Sequence, residues 1–118
     1  WSKDGKFLAH ASDSGSIKIH NTELFELVAE YQGHTGKALA LSWSPDGKRL
    51  ASGGMDNAVR LWDTSNGKQV VVLKQLAGIN AVAWSPEGRR LATINLDGYT
   101  TIYDATTGSK AAAKSDSD

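Results

Sequence analysis

Ser52, His34 and Asp56 are the residue types of a nucleophilic triad: a hydroxyl to attack, an imidazole to take its proton and a carboxylate to orient the imidazole. That chemistry needs the nucleophile on a sharp turn facing a cleft, beside oxyanion donors. The stretch Ala51-Ser52-Gly53-Gly54 is not the Gly-x-Ser-x-Gly elbow that presents such a serine. His10 and His20 are metal-binding types, but two histidines without a third ligand fall short of a metal site. The absence of cysteine rules out disulfides, thiol nucleophiles and thiolate metal sites, and leaves the compartment open. No glycine cluster opens a helix, so there is no phosphate cradle. The residues therefore call for no cofactor and no metal.

Thirteen basic and thirteen acidic side chains cancel in a chain of 118 residues, so no net field draws it to nucleic acid or to an anionic membrane. No apolar run is long enough to span a bilayer or to act as a signal peptide. The first residue is Trp1 rather than methionine, and it stands at the end of a motif, so the chain reads as cut from something longer.

That motif organises everything else. Trp1-Ser2-Lys3-Asp4-Gly5-Lys6, Trp43-Ser44-Pro45-Asp46-Gly47-Lys48 and Trp84-Ser85-Pro86-Glu87-Gly88-Arg89 are spaced by 42 and 41 residues. Leu8-Ala9 falls on Leu50-Ala51 and on Leu91-Ala92, and Trp62-Asp63 falls on Tyr103-Asp104. A fixed period of this size means one supersecondary unit stacked on copies of itself. Within a unit, Leu39, Leu41 and Trp43 alternate with Ala38, Ala40 and Ser42, which is the period of a strand.

The turns punctuate each unit. Ser-Pro-Asp-Gly presets φ with proline and takes positive φ with glycine. Met55-Asp56-Asn57 and Ser65-Asn66-Gly67 supply a second and a third turn, so each unit holds four short strands, Val70 to Leu73 being the fourth of the middle unit. No long helix is expected, although residues 22–26 could form a helical turn. A small sheet with two rather apolar faces must be covered on both, and stacking such sheets around a ring achieves that.

The period, Gly33-His34 before the middle unit, Trp62-Asp63 at its third strand and the Ser-Pro-Asp-Gly turn together resemble the WD-repeat β-propellers. The resemblance covers residues 1 to 110 or so and implies an all-β, partial or oligomer-completed propeller of four-stranded antiparallel blades. Residues 1–32 would be a first blade lacking its inner strand, 33–75 a complete second blade and 76–110 a third. The outer strand of the third has only a weak candidate around 109–114, and 111–118 reads as a disordered polar tail.

The resemblance also implies roles. In such blades a histidine, a serine or threonine, an aspartate and a tryptophan form an internal hydrogen-bond chain; here these are His34, Ser52, Asp56 and Trp62. Positions 52 and 62 would then lie between blades, so the apparent triad is structural and the protein is no enzyme. The first unit departs from the pattern with His10, Ser14 and His20. The third keeps Thr93 and Asp97, has Tyr103 for the tryptophan, and receives no histidine from Leu76-Ala77-Gly78.

Propellers of this family mostly serve as interaction platforms, which implies a scaffold that binds a protein or peptide partner and is a segment of a larger ring, completed by further blades in cis or in trans. The alternative is a self-associating unit, several copies closing one ring, natural or engineered. Partner binding is expected on the rim of Thr35, Lys37, Met55, Asn57, Leu76, Ile79, Leu96 and Tyr99. Leu24 and Phe25 form an apolar pair on the opposite rim, where the other units are polar.

Overall fold

The structure is a computed structural model that describes residues 1–108 and 110–114. Its elements are the strands β1 (Phe7–Ala11), β2 (Ile17–Asn21), β3 (Leu27–Tyr31), β4 (Ala38–Trp43), β5 (Arg49–Gly54), β6 (Ala58–Asp63), β7 (Gln69–Lys74), β8 (Ile79–Trp84), β9 (Arg90–Asn95), β10 (Thr100–Asp104) and β11 (Lys110–Lys114). All pairings are antiparallel between sequence neighbours. They make a three-stranded sheet 1 (β1–β3) and two four-stranded sheets, sheet 2 (β4–β7) and sheet 3 (β8–β11). No helix occurs among the described residues, and none is therefore long and apolar enough to cross a membrane.

The repeated turn shows why its residues recur. Ser44 Oγ donates to Asp46 Oδ1 at 2.7 Å and accepts the Arg49 amide at 3.0 Å, while Asp46 also accepts the Lys48 amide at 2.9 Å. These bonds hold the Asp46 carboxyl below its ordinary pKa, the Ser44 hydroxyl being the larger cause. Gly47 closes the turn at φ 73°. Thr64 Oγ1 donates to its carbonyl at 2.7 Å, tying the third turn to the first. Ser2, Asp4, Gly5 and Thr22 repeat every one of these bonds in sheet 1.

Strand alternation sends the side chains to two cores. Ile17, Ile19 and Tyr31 of sheet 1 pack on Leu50 and Trp62 of sheet 2, with Leu41 and Trp43 beside them. Ala51, Val59 and Leu61 on the other face of sheet 2 pack on Ile79 and Leu91 of sheet 3. Gly53 lets the second pair of sheets close up: a Cβ there would sit 2.5 Å from Ile79 Cγ2.

Two sequence expectations change here. Residues 111–114 belong to β11, with Thr100 opposite Lys114 and Ile102 opposite Ala112, where a disordered tail is expected. The open edge of β10 supplies backbone donors and acceptors that outweigh the poor strand propensity of alanine. Ser109 and residues 115–118 of that tail lie outside the described residues. The segment 22–26 is a bend, not a helical turn, because Asn21 Oδ1 captures the amides of Leu24 and Glu26 at 3.0 and 3.3 Å.

Candidate functional site

His34, Ser52, Asp56 and Trp62 meet on the face of sheet 2 that looks at sheet 1. Ser52 and Trp62 come from β5 and β6, Asp56 from the turn between them, and His34 from the connection leading into β4. Trp62 Nε1 donates to Ser52 Oγ at 2.8 Å, Ser52 Oγ lies 2.7 Å from His34 Nε2, and His34 Nδ1 lies 2.9 Å from Asp56 Oδ1. An indole only donates and a carboxylate only accepts, which sets the direction of the chain. Ser52 therefore donates to an unprotonated Nε2, and Nδ1–H donates to Asp56.

Three groups that sequence reasoning did not find complete the site. Arg60 Nη2 donates to Asp56 Oδ2 at 3.0 Å and its Nη1 to Gln69 Oε1 at 2.6 Å, and the Thr35 amide reaches Asp56 Oδ2 at 3.1 Å. Arg60 Nε lies 3.4 Å from His34 Nδ1, a contact rather than a bond, since that nitrogen's proton is committed to Asp56. The signal for Arg60 was its place four residues after Asp56, two before Trp62 on the same strand face.

Charge is settled inside this network. Burial pushes His34 below its ordinary pKa, which the Asp56 carboxylate only partly offsets, so the ring is neutral as the bonding requires. Burial alone would raise Asp56, but bonds from His34, Arg60 and the Thr35 amide outweigh it and hold the carboxyl well below the usual carboxylate range. Ser52 is 0% exposed and Trp62 covers it, so its hydroxyl faces no cleft.

Sheet 3 builds the same connection from other residues. Gln75, 41 residues after His34, donates through Nε2 to Thr93 Oγ1 at 2.8 Å and to the Tyr103 hydroxyl at 3.0 Å. Its Oε1 accepts Asn95 Nδ2 at 3.0 Å. Asn95 stands where sheet 2 has Gly54, and a Cβ on Gly54 would lie 2.6 Å from His34 Nδ1. The two sheets thus exchange histidine with glycine for glutamine with asparagine. Asp97 takes part through its amide, which donates to Asn95 Oδ1.

Sheet 1 has a ring stack in place of a bonded chain. His10 and His20 stack at 5.1 Å, Phe25 lies 5.0 Å from His20, and His20 Nδ1 is buried with no hydrogen-bond partner among the described residues. Ser14 bonds to its neighbours Ser12 and Ser16. Among the described residues no group of three or more histidines and carboxylates is placed to hold a metal.

The expected rim residues separate into two sets. Met55, Leu96 and Tyr99 are about half exposed, Leu76 is 94% exposed, and Thr35 and Lys37 are exposed. Met55 and Leu96, on equivalent turns of adjacent sheets, converge over Gly78, where a Cβ would lie 3.0 Å from Leu96 Cδ1 and 3.4 Å from Met55 Sδ. A groove of about 430 Å³ runs beside them, lined by Leu76, Tyr99, Asp97, Lys74 and Lys110 among others. Asn57 is partly buried and holds its turn at φ 66°. Ile79 is 0% exposed and belongs to the core against Gly53, so it is no rim residue. As the first residue of β8 it carries the alternation inward.

The chain matches the family described as WD40: WD domain, G-beta repeat, over residues 25–63 and 67–104. It belongs to that family, and its three stacked antiparallel sheets are blades of a β-propeller. It is 34% identical to Protein HIRA of Zea mays over 90 residues, covering 62% of this chain and 9% of that protein. It is 41% identical to Protein groucho of Drosophila melanogaster over 69 residues, covering 58% of this chain and 10% of that one. Thus it spans about a tenth of the length of these relatives.

A chain in the crystal structure of the mitotic checkpoint complex superposes with a TM-score of 0.87 at 31% identity, over 97% of this chain and 37% of that one. The β-propeller domain of Cps50 (Swd1) from Myceliophteria thermophila gives 0.87 at 23% identity, over 97% and 36%, a likeness of fold alone.

Proposed function

We propose that the chain is a non-catalytic scaffold segment of a larger propeller that binds a protein or peptide partner on the rim bearing Met55, Leu76, Leu96 and Tyr99. The observation that carries this reading is the convergence of Met55 and Leu96 over Gly78, which turns two separate turns into one apolar strip. Large apolar side chains held in the open by a rigid sheet are the anchors that interfaces desolvate. The groove alongside, with Lys74, Lys110 and Asp97 in its lining, supplies a polar border. Membership of a family of propeller scaffolds supports the reading, as does the presence of a similar chain in a protein assembly, the mitotic checkpoint complex.

The triad look-alike is a staple. Its serine is sealed under Trp62, and each polar group in it already has a partner, so none is held back for a substrate.

A displayed-peptide library panned on the folded chain tests the binding reading. Enriched peptides should lose about tenfold or more in affinity to Met55→Glu and to Tyr99→Ala. Peptides indifferent to both substitutions would overturn it. Incubation with a fluorophosphonate should leave the folded chain unlabelled, and labelling at Ser52 would overturn the non-catalytic reading.

A further inference from the structure

Sheets 2 and 3 fill the same place differently. In sheet 2 the space between the incoming connection and the outer strand holds Arg60, which is 9% exposed and binds Asp56 and Gln69. A shift of 41 residues puts Thr101 at Arg60, Ala113 at Val72 and Tyr103 at Trp62. The strand registers agree, since Thr101 stands opposite Ala113 as Arg60 stands opposite Val72. Each exchange is from a larger side chain to a smaller one, and the groove of about 430 Å³ opens where they meet. It lies on the face of sheet 3 that packs on sheet 2, because Thr101 and Tyr103 share that face with Leu91. Both four-stranded sheets of this junction are present.

The polarity of the place is reversed along with its volume. Gly33 and Gln69 of the sheet 2 site correspond to Lys74 and Lys110, and both lysines line the groove. Lys74 Nζ lies 3.5 Å from the Asp56 carbonyl, and neither lysine forms an ion pair among the described residues. The floor adds hydroxyls. Tyr103 accepts from Gln75 Nε2, which leaves its own proton to give, and Thr101 Oγ1 has no hydrogen-bond partner among the described residues. Asp97, itself exposed, is the one carboxylate among the described lining residues. Two ammonium groups against one carboxylate leave the groove with a surplus of one positive charge and of hydrogen-bond donors.

We propose that this groove takes the carboxylate of an aspartate or glutamate side chain of the partner peptide, seated between Lys74 and Lys110 over the hydroxyls of Thr101 and Tyr103. In sheet 2 the centre of the place is a cation among acceptors. In sheet 3 the cations stand in the walls, and the centre is left for an anion. A carboxylate matches the single surplus charge, whereas a doubly charged phosphoryl group would face Asp97. The inference rests on the rim reading for the rest of the peptide, which would lay an apolar residue over Met55 and Leu96 and an acidic one into the groove alongside.

A titration of the chain with acetyl-glutamate amide, followed in nitrogen–proton correlation spectra at constant ionic strength, tests the groove without the peptide. The amides of Thr101 and Lys110 should shift and saturate below about 100 mM, and acetyl-glutamine amide should leave them still. Lys110→Gln, which copies Gln69, should weaken the binding about threefold or more. Thr101→Arg, which copies Arg60, should abolish it by filling the groove and pairing with Asp97. Lys68→Gln, at an exposed lysine after the third turn of sheet 2, should change nothing. No saturable shift at these amides, tighter binding of acetyl-arginine amide or tighter binding of inorganic phosphate would each overturn the proposal. Peptides from the displayed library separate the two readings. Dependence on Met55 with no enriched acid keeps the rim and overturns the groove. An acid requirement that Lys110→Gln removes, in peptides indifferent to Met55→Glu, keeps the groove and overturns the rim.

Discussion

At the scale of single residues, His34 links stability to pH. Both its nitrogens are committed, one accepting from Ser52 and the other donating to Asp56, so a second proton would break the bond to Ser52. Burial lowers its pKa in the folded chain, whereas the unfolded histidine protonates below about 6.5. As pH falls through that value the unfolded state gains a proton that the folded state refuses, and stability drops. Asp56 adds a second loss at lower pH. Its contribution is full above the unfolded value of 3.8 and disappears as the depressed folded pKa is crossed. Urea midpoints measured from about pH 8 to pH 3 should therefore decline from roughly 6.5 downward. His34→Gln should remove most of the upper part of that decline, and a native midpoint flat to pH 5 or so would contradict the assignment. The arrangement around Gln75 suggests a companion experiment. His34→Gln alone should cost about 1–3 kcal/mol by leaving Asp56 and Ser52 short of a partner.

At the scale of strands and turns, glycines of the same left-handed class differ in what they do. Gly47, at φ 73°, has nothing within 4 Å of a would-be Cβ, so Gly47→Ala meets only backbone strain, about 1–2 kcal/mol. Gly15, at φ 89°, lies under the loop that carries His34, and a Cβ there would run into the carbonyl oxygens of His34 and Gly36. Gly15→Ala should cost about 3 kcal/mol or more, near the top of the range for one substitution, and should loosen the His34 loop. Equal thermal shifts for the two variants would show that the approach of sheet 1 to that loop does not matter. The same contrast shows what can be read from sequence. The turns and the strand period were legible because each is a local pattern repeated at a fixed interval, whereas the four members of the site were legible only through the family resemblance, since the other two units depart from them. Arg60, Gln75 and Asn95 were not, because their roles depend on which neighbouring polar atom lacks a partner. Ile79 misled because its connection looked like a loop while its side chain begins a core strand. Lys110–Lys114 gave only a weak outer-strand candidate, overlapped by the expected disordered tail, because alanine and lysine carry little strand signal and the free edge of β10 is what makes them a strand.

At the scale of the whole molecule, the two junctions between sheets are unequal. Sheets 2 and 3 share an apolar core and two polar ties: Trp84 Nε1 donates to the Ser42 carbonyl at 2.9 Å, and Arg49 Nη1 to the Ala105 carbonyl at 3.1 Å. Sheets 1 and 2 share an apolar core as well, yet no hydrogen bond crosses between them among the described residues. For Trp43, the counterpart of Trp84, the residue equivalent to Ser42 precedes Trp1. Sheet 1 also holds the buried His20 Nδ1, which has no hydrogen-bond partner among the described residues. The chain should accordingly open from this end, since local stability follows buried contacts and satisfied polar groups. Amide hydrogen exchange followed by mass spectrometry should show β1–β3 exchanging at least about tenfold faster than β5 and β6, with β8–β10 close to the latter. Uniform protection across the three sheets would mean that the apolar contact of Ile17, Ile19 and Tyr31 with Leu50 and Trp62 binds the first blade as firmly as the polar ties bind the third.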